Sequence, residues 1–159
     1  DTCQVDVTVI GAMGPPGGGR QPVSNRMLRL MHMISFTDMT SDEIESIFTT
    51  ITAAFIKFNV AEEMVPMANS LVKATVTVYN QTCDSLRPTP EKPHYTFNLR
   101  DVSKVVQGVL MADKRRPMAQ PDIVRLWAHE CCRVFSDRLI SAEDRSWFLD
   151  QVNGGHFRN

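Results

Sequence analysis

No apolar run in these 159 residues approaches the ~18 that a membrane-crossing helix requires, so the sequence predicts no membrane partner. The N-terminus also lacks the basic start and apolar core of a signal peptide. An excess of one charge is missing too: a net charge of −1 gives no electrostatic reason to expect nucleic acid or a lipid surface. Low-complexity tracts are absent, and 43% hydrophobic residues predict a packed globule. Cysteine is sparse. The four, at positions 3, 83, 131 and 132, include an adjacent pair that cannot easily bridge to itself, which predicts reduced thiols inside a cell.

Several catalytic patterns begin and then fail. Gly14 and Gly19 have the separation of a G-x-x-x-x-G-K-[ST] loop, but Arg20 replaces the lysine and Gln21 the hydroxyl residue that would hold magnesium. Pro15 and Pro16 also remove two of the backbone donors such a loop uses. A glycine-rich loop after a strand is the expectation instead. His129-Glu130 opens like a zinc-protease motif, yet position 133, where the second histidine belongs, is Arg133. His129, Cys131 and Cys132 lack paired ligand spacing, so no metal site is predicted. No serine, cysteine or carboxylate pair has a partner at a motif spacing, and a self-contained hydrolase is not predicted.

What is present is mostly helical periodicity. Val5 to Ile10 is a β-branched run that predicts a buried strand, and Met33 to Phe36 a second short one. One strand makes no sheet. With a start at Asp1, this predicts a piece of something longer. Between the strands, Ser24 caps a short helix to Met31 that carries Arg26 and Arg29 on one face: an anion clamp or a solvated surface. Thr40-Ser-Asp-Glu43 reads as a capping box, followed by Ile44, Ile47, Phe48, Ile51, Phe55 and Phe58 as a core-facing stripe. Ala61 to about Leu86 predicts one long helix, with Pro66 near its beginning and Met64, Met67, Leu71, Val78 and Tyr79 buried. Arg87 to Pro93, with three prolines, ends it. Lys114, Arg115 and Arg116 form a solvated connector, after which Pro121 starts a helix with Ile123, Leu126, Trp127, Cys131 and Val134 on its apolar face. Glu130 lies in that face, so it should be partly buried and bonded to an arginine. Ser141-Ala-Glu-Asp144 begins the last helix, anchored by Trp147, Phe148 and Val152 and stopped by Gly154-Gly155.

The stretch Tyr95 to Leu110 organises the rest. Asn98 can cap a helix whose first turn holds Asp101, and Leu99, Val102, Val105, Val106, Val109 and Leu110 line one face. Arg100 therefore stands in the first turn, off the apolar face, beside a proline-rich loop. Its guanidinium is either solvated or salt-bridged, or it meets phosphate oxygens from another part of the protein.

Two long strings, Gly11 to Arg29 and Tyr95 to Gly108, together with Leu126 to Leu139 and Glu143 to Phe148, closely resemble dynein heavy chains in the third AAA+ module of the motor ring, most like the axonemal branch. The resemblance covers nearly the whole chain. It implies a mainly α fold, a helical AAA+ lid bundle at 39–159, with a short β remnant of the α/β core at 1–38. By analogy Arg100 matches the sensor-two arginine, which reaches the phosphates of the module's own nucleotide. Arg26 and Arg29 match the arginine-finger region facing the preceding module, and Gly14 takes the sensor-one position, where cytoplasmic relatives have asparagine. The implied function is a regulatory piece of an ATP-driven, minus-end-directed microtubule motor. ATP or ADP with Mg2+ would be bound in the intact motor and none in this piece, which has no Walker motifs and should not hydrolyse ATP. Implied partners are the neighbouring AAA+ modules, the microtubule and other dynein subunits. The implied location is the cytoplasm, cytoskeleton and ciliary or flagellar axoneme. A reading of a different class is a helical protein-interaction module with no nucleotide role.

Overall fold

Side-chain N-caps hold three of the helix starts among the described residues. The computed structural model describes residues 6–15, 21–59, 62–113 and 118–154, which fall into two units, one ending at Asp38 and one beginning at Met39. In the first unit, Ser24 caps α1 (Asn25–Leu28), its Oγ accepting from the Met27 N–H at 3.4 Å. No residue of this single turn is buried.

Neither expected strand forms. Residues 6–10 and 33–36 pair with nothing, and no strand is present among the described residues; Val5 lies outside them. Ile10 is 91% and Phe36 88% exposed. A β-branched run becomes a strand only when a neighbouring strand takes up its N–H and C=O groups. Asp6 adds a left-handed turn, at φ 62°, where a continuous strand would be extended. The rest of the glycine-rich segment, including Gly19 and Arg20, also lies outside the described residues.

The second unit is an all-helical bundle among its described residues: α2 (Ser41–Asn59), α3 (Val65–Ser85), α4 (Leu99–Leu110), α5 (Gln120–Val134) and α6 (Ala142–Asn153), with 3₁₀ turns at Glu62–Met64 and Ser136–Arg138. The capping box at Thr40 is realised. Glu43 Oε2 accepts from the Thr40 N–H at 2.8 Å, and the Glu43 N–H donates back to Thr40 Oγ1 at 3.3 Å. Pro66 sits in the first turn of α3, where its missing N–H leaves nothing unsatisfied. The Lys114–Arg116 connector and Gly155 lie outside the described residues.

The phase of α2 differs from the expected stripe. Ile44, Thr52 and Ile56 are buried and Phe48 packs beside them, whereas Ile47, Ile51 and Phe58 face outward, Phe58 at 80% exposure. The helix is apolar on two sides, so periodicity alone cannot select the side that α3 covers. The other helices bury most of the expected positions, Met67, Leu71 and Val78 on α3, Val102, Val105, Val106 and Val109 on α4, and Ile123, Trp127, Cys131 and Val134 on α5, whereas Met64, Tyr79, Leu99, Leu110 and Leu126 are only half-buried. One main core joins α3, α4, α5 and α6 through Trp127, Tyr95, Phe135, Leu139 and Phe148. Trp127 donates its Nε1–H to Thr75 Oγ1 at 2.8 Å, and that hydroxyl in turn donates to the Leu71 carbonyl at 2.7 Å. A buried polar pair of this kind fixes the register of α5 on α3.

Candidate functional site

The α4 start is held from both directions along the chain. Arg100 is its second residue, and its backbone N–H donates to Asn98 Oδ1 at 3.0 Å. The Asn98 N–H donates to Asp101 Oδ2 at 3.1 Å, closing a reciprocal cap. Asp101 is buried, although sequence reasoning assigned it only a dipole role at the helix end.

Its burial is matched by an arginine that the sequence did not single out. Arg138, in the 3₁₀ turn after α5, places Nη2 at 2.7 Å from Asp101 Oδ1 and Nη1 at 3.3 Å from Oδ2. The same Nη1 donates to the Thr96 carbonyl at 3.1 Å, and the guanidinium lies 5.3 Å from the Phe97 ring centroid. Burial pushes the Asp101 carboxyl up, but Arg138, the Asn98 N–H and Lys104 outweigh it and hold the group below its usual range.

The approach loop is anchored one step earlier. The buried Tyr95 hydroxyl donates to Asp144 Oδ2 at 2.9 Å and accepts from the Ile140 N–H at 3.1 Å, and Lys92 pairs with the same carboxylate. The Phe97 ring packs 5.9 Å from Phe135, centroid to centroid, and His94 Nε2 lies 3.2 Å from the Arg138 carbonyl. Residues 92–101 are thus tied to residues 135–144 by side chains on both sides.

Above this anchor the Arg100 side chain is exposed and makes no hydrogen bond or ion pair with another described residue. Its nearest acidic neighbour in sequence is already engaged by Arg138. The guanidinium therefore offers its donors outward without an intramolecular partner competing for them. Arg26 and Arg29 are brought within one turn at α1, both exposed and likewise without a bond to another described residue. Gly14 is half-buried in chain without regular structure.

Glu130 is 8% exposed, with Arg133 Nη2 at 2.6 Å and Nε at 2.8 Å, as its position in the apolar face of α5 required. Its side chain fills the space beside Gly108 of α4. Burial pushes the thiols of Cys131, Cys132 and Cys83 upward, so none is poised as a thiolate nucleophile. Among the described residues, no group of three His, Cys, Asp or Glu side chains could hold a metal, and no helix is long and apolar enough to cross a membrane.

The described residues of the second unit form a helical bundle at whose edge the Arg100 guanidinium, like that of Arg87, has no bonded partner among the described residues. The chain belongs to the dynein heavy chain ATPase lid family: the family model described as "Dynein heavy chain, ATPase lid domain" matches residues 36–145. A second, "P-loop containing dynein motor region", matches residues 3–39. Among its relatives, dynein axonemal heavy chain 1 of Homo sapiens is 47% identical over 93% of this chain. Dynein axonemal heavy chain 6 of Homo sapiens is 42% identical over 96% of it. Dynein axonemal heavy chain 12 of Rattus norvegicus is 39% identical over 97%. The chain spans only 4%, 4% and 5% of those relatives' lengths.

Proposed function

We propose that the chain is the stretch of the third AAA+ module of an axonemal dynein heavy chain that runs from the end of its α/β subdomain, residues 1–38, through its helical lid, residues 39–159. In this reading it couples nucleotide state to movement of the motor ring. Arg100 is the sensor-two arginine, Arg26 and Arg29 form the arginine-finger region facing the preceding module's nucleotide, and Gly14 occupies the sensor-one position. The observation that carries the reading is the unengaged Arg100 guanidinium on a helix start that four neighbouring side chains immobilise.

Residues at this edge fit one face of a nucleotide's phosphates. Arg100 presents donors in the planar fork that suits phosphate oxygens, and the one carboxylate beneath it is neutralised by Arg138. Among the described residues no group of three His, Cys, Asp or Glu side chains could hold a metal; in this reading the magnesium ligands and the Walker residues lie elsewhere on the heavy chain. Bound nucleotide supplies a γ-phosphate charge that is present in one state and absent in the next. Arg100 can respond only if its bond is made in one state and lost in the other, because a contact equal in both shifts no equilibrium. The lid then moves as a body, since α4 is packed into the core that joins α3, α5 and α6. The partners in this reading are the adjoining AAA+ modules, other dynein subunits and, through the whole motor, the microtubule of a ciliary or flagellar axoneme.

The test is Arg100→Ala in the full-length heavy chain, with microtubule release followed as ATP is added. Loss of the nucleotide dependence with an unchanged melting temperature supports the reading, and normal gating overturns it. The alternative, a helical interaction module without a nucleotide role, is favoured by one observation: the outward apolar row of Ile47, Ile51 and Phe58 on α2. It predicts that Arg100→Ala is silent while serine at Ile51 and Phe58 abolishes function.

A further inference from the structure

Arg100 is placed by a residue 38 positions further along the chain. We propose that Arg138 is a positioning residue for Arg100, a role that rests on the sensor reading above and adds a route by which the α5–α6 connection reaches the nucleotide. The forked pair between Arg138 and Asp101 joins the 3₁₀ turn Ser136–Arg138 to the residue directly after Arg100. The same guanidinium holds the Thr96 carbonyl and the Phe97 ring on the approach side, so it fixes both flanks of the cap that defines where α4 begins.

A side chain two peptide units from a fixed cap inherits the cap's position, and small displacements there are large against hydrogen-bond tolerances. Lysine cannot replace this arrangement. A single ammonium on a flexible stem cannot bond both Asp101 oxygens and the Thr96 carbonyl with one planar group. The neighbouring charges do not supply a substitute. Lys104 reaches Asp101 only at 3.5 Å and is half exposed, while Arg133 is committed to Glu130. Displacement of Ser136–Arg138 is therefore transmitted to Arg100 through a charged pair whose anionic member is buried.

The experiment is a double-mutant cycle in the full-length heavy chain, with Arg138→Gln, Arg138→Lys and Arg100→Ala alone and combined. The readouts are the ATP-induced acceleration of microtubule release and amide hydrogen exchange over residues 95–104. Arg100→Ala is expected to reduce the acceleration about fivefold or more, the lower range of allosteric couplings. Arg138→Gln should reproduce most of that loss, Arg138→Lys part of it, and neither should add to it in the Arg100→Ala background. Exchange over the α4 start should rise in both Arg138 variants. If Arg138→Gln fails to fold, Arg138→Lys carries the cycle. Equal losses in both backgrounds, or no loss from Arg138→Gln while Arg100→Ala is impaired, overturn the positioning role and leave the sensor reading standing. A silent Arg100→Ala removes both.

Discussion

The side chain of Glu130 on α5 occupies the space that a Cβ on Gly108 of α4 would need. The glycine is thus explained by what crosses it, since α4 and α5 meet at this point through a buried carboxylate held by Arg133. Gly108→Ala should destabilise the lid by about 1–3 kcal/mol, the usual cost of overpacking, despite the roughly 1 kcal/mol that alanine gains over glycine within a helix. Denaturant unfolding measures it. Adding Glu130→Ala should recover most of the loss, and strictly additive losses would show that the crossing is not the cause.

Acid should weaken the α4 anchor. Asp101 is held below its usual range by Arg138 and the Asn98 N–H against the opposing effect of burial, and Asp144 is held low by Lys92 and Tyr95. A carboxylate whose folded value is depressed contributes stability that is complete above its unfolded value, about 4, and is lost as pH falls through the folded value. Melting temperature should therefore drop as pH is lowered below about 4. Asp101→Asn should be less stable at neutral pH and show a shallower drop. A wild-type profile with no acid decline would contradict this.

The two apolar sides of α2 should respond differently to truncation. Ile56→Ala opens the core and should cost about 2–5 kcal/mol, whereas Phe58→Ser should change stability by no more than about 0.5 kcal/mol. Ile56 is 1% exposed and Phe58 80%. Reversed sensitivities by thermal unfolding would place the buried face where periodicity alone put it.

Thr75→Val should cost about 0.5–1.5 kcal/mol, the net value of a typical hydrogen bond, by removing the hydroxyl that accepts from Trp127. Near-ultraviolet circular dichroism of the indole should change with it. An unaltered spectrum and stability would mean that this bond does not fix α5 on α3.

Much of the helical unit was legible because its signals are local. Thr40 with Glu43, Asn98 with Asp101 and Pro66 each act within a turn of chain, and all three mark the helix starts that form. Glu130 was legible by contradiction: a carboxylate in an apolar face has few solutions, and an arginine one turn away is the one adopted. The failures are non-local. Val5 to Ile10 has strand composition, but nothing among the described residues supplies a partner strand. The α2 face depends on where α3 lies, and Arg138 sits in a short 3₁₀ turn that leaves no periodic trace. Its partner Asp101 is 37 positions away. That Arg100 lies off the apolar face of α4 was legible in the sequence, whereas the Arg138–Asp101 pair that holds the helix start beside it was not.

In the proposed reading Arg100 bonds a phosphate of its own module's nucleotide in one state and releases it in another. The most direct measurement is a pair of structures of the full-length heavy chain, one with a non-hydrolysable ATP analogue and one with ADP. An Arg100 nitrogen should lie at about 2.7–2.9 Å from a γ-phosphate oxygen in the first and apart from the nucleotide in the second. An Arg100 side chain that points to solvent or to its own lid in both structures would contradict it.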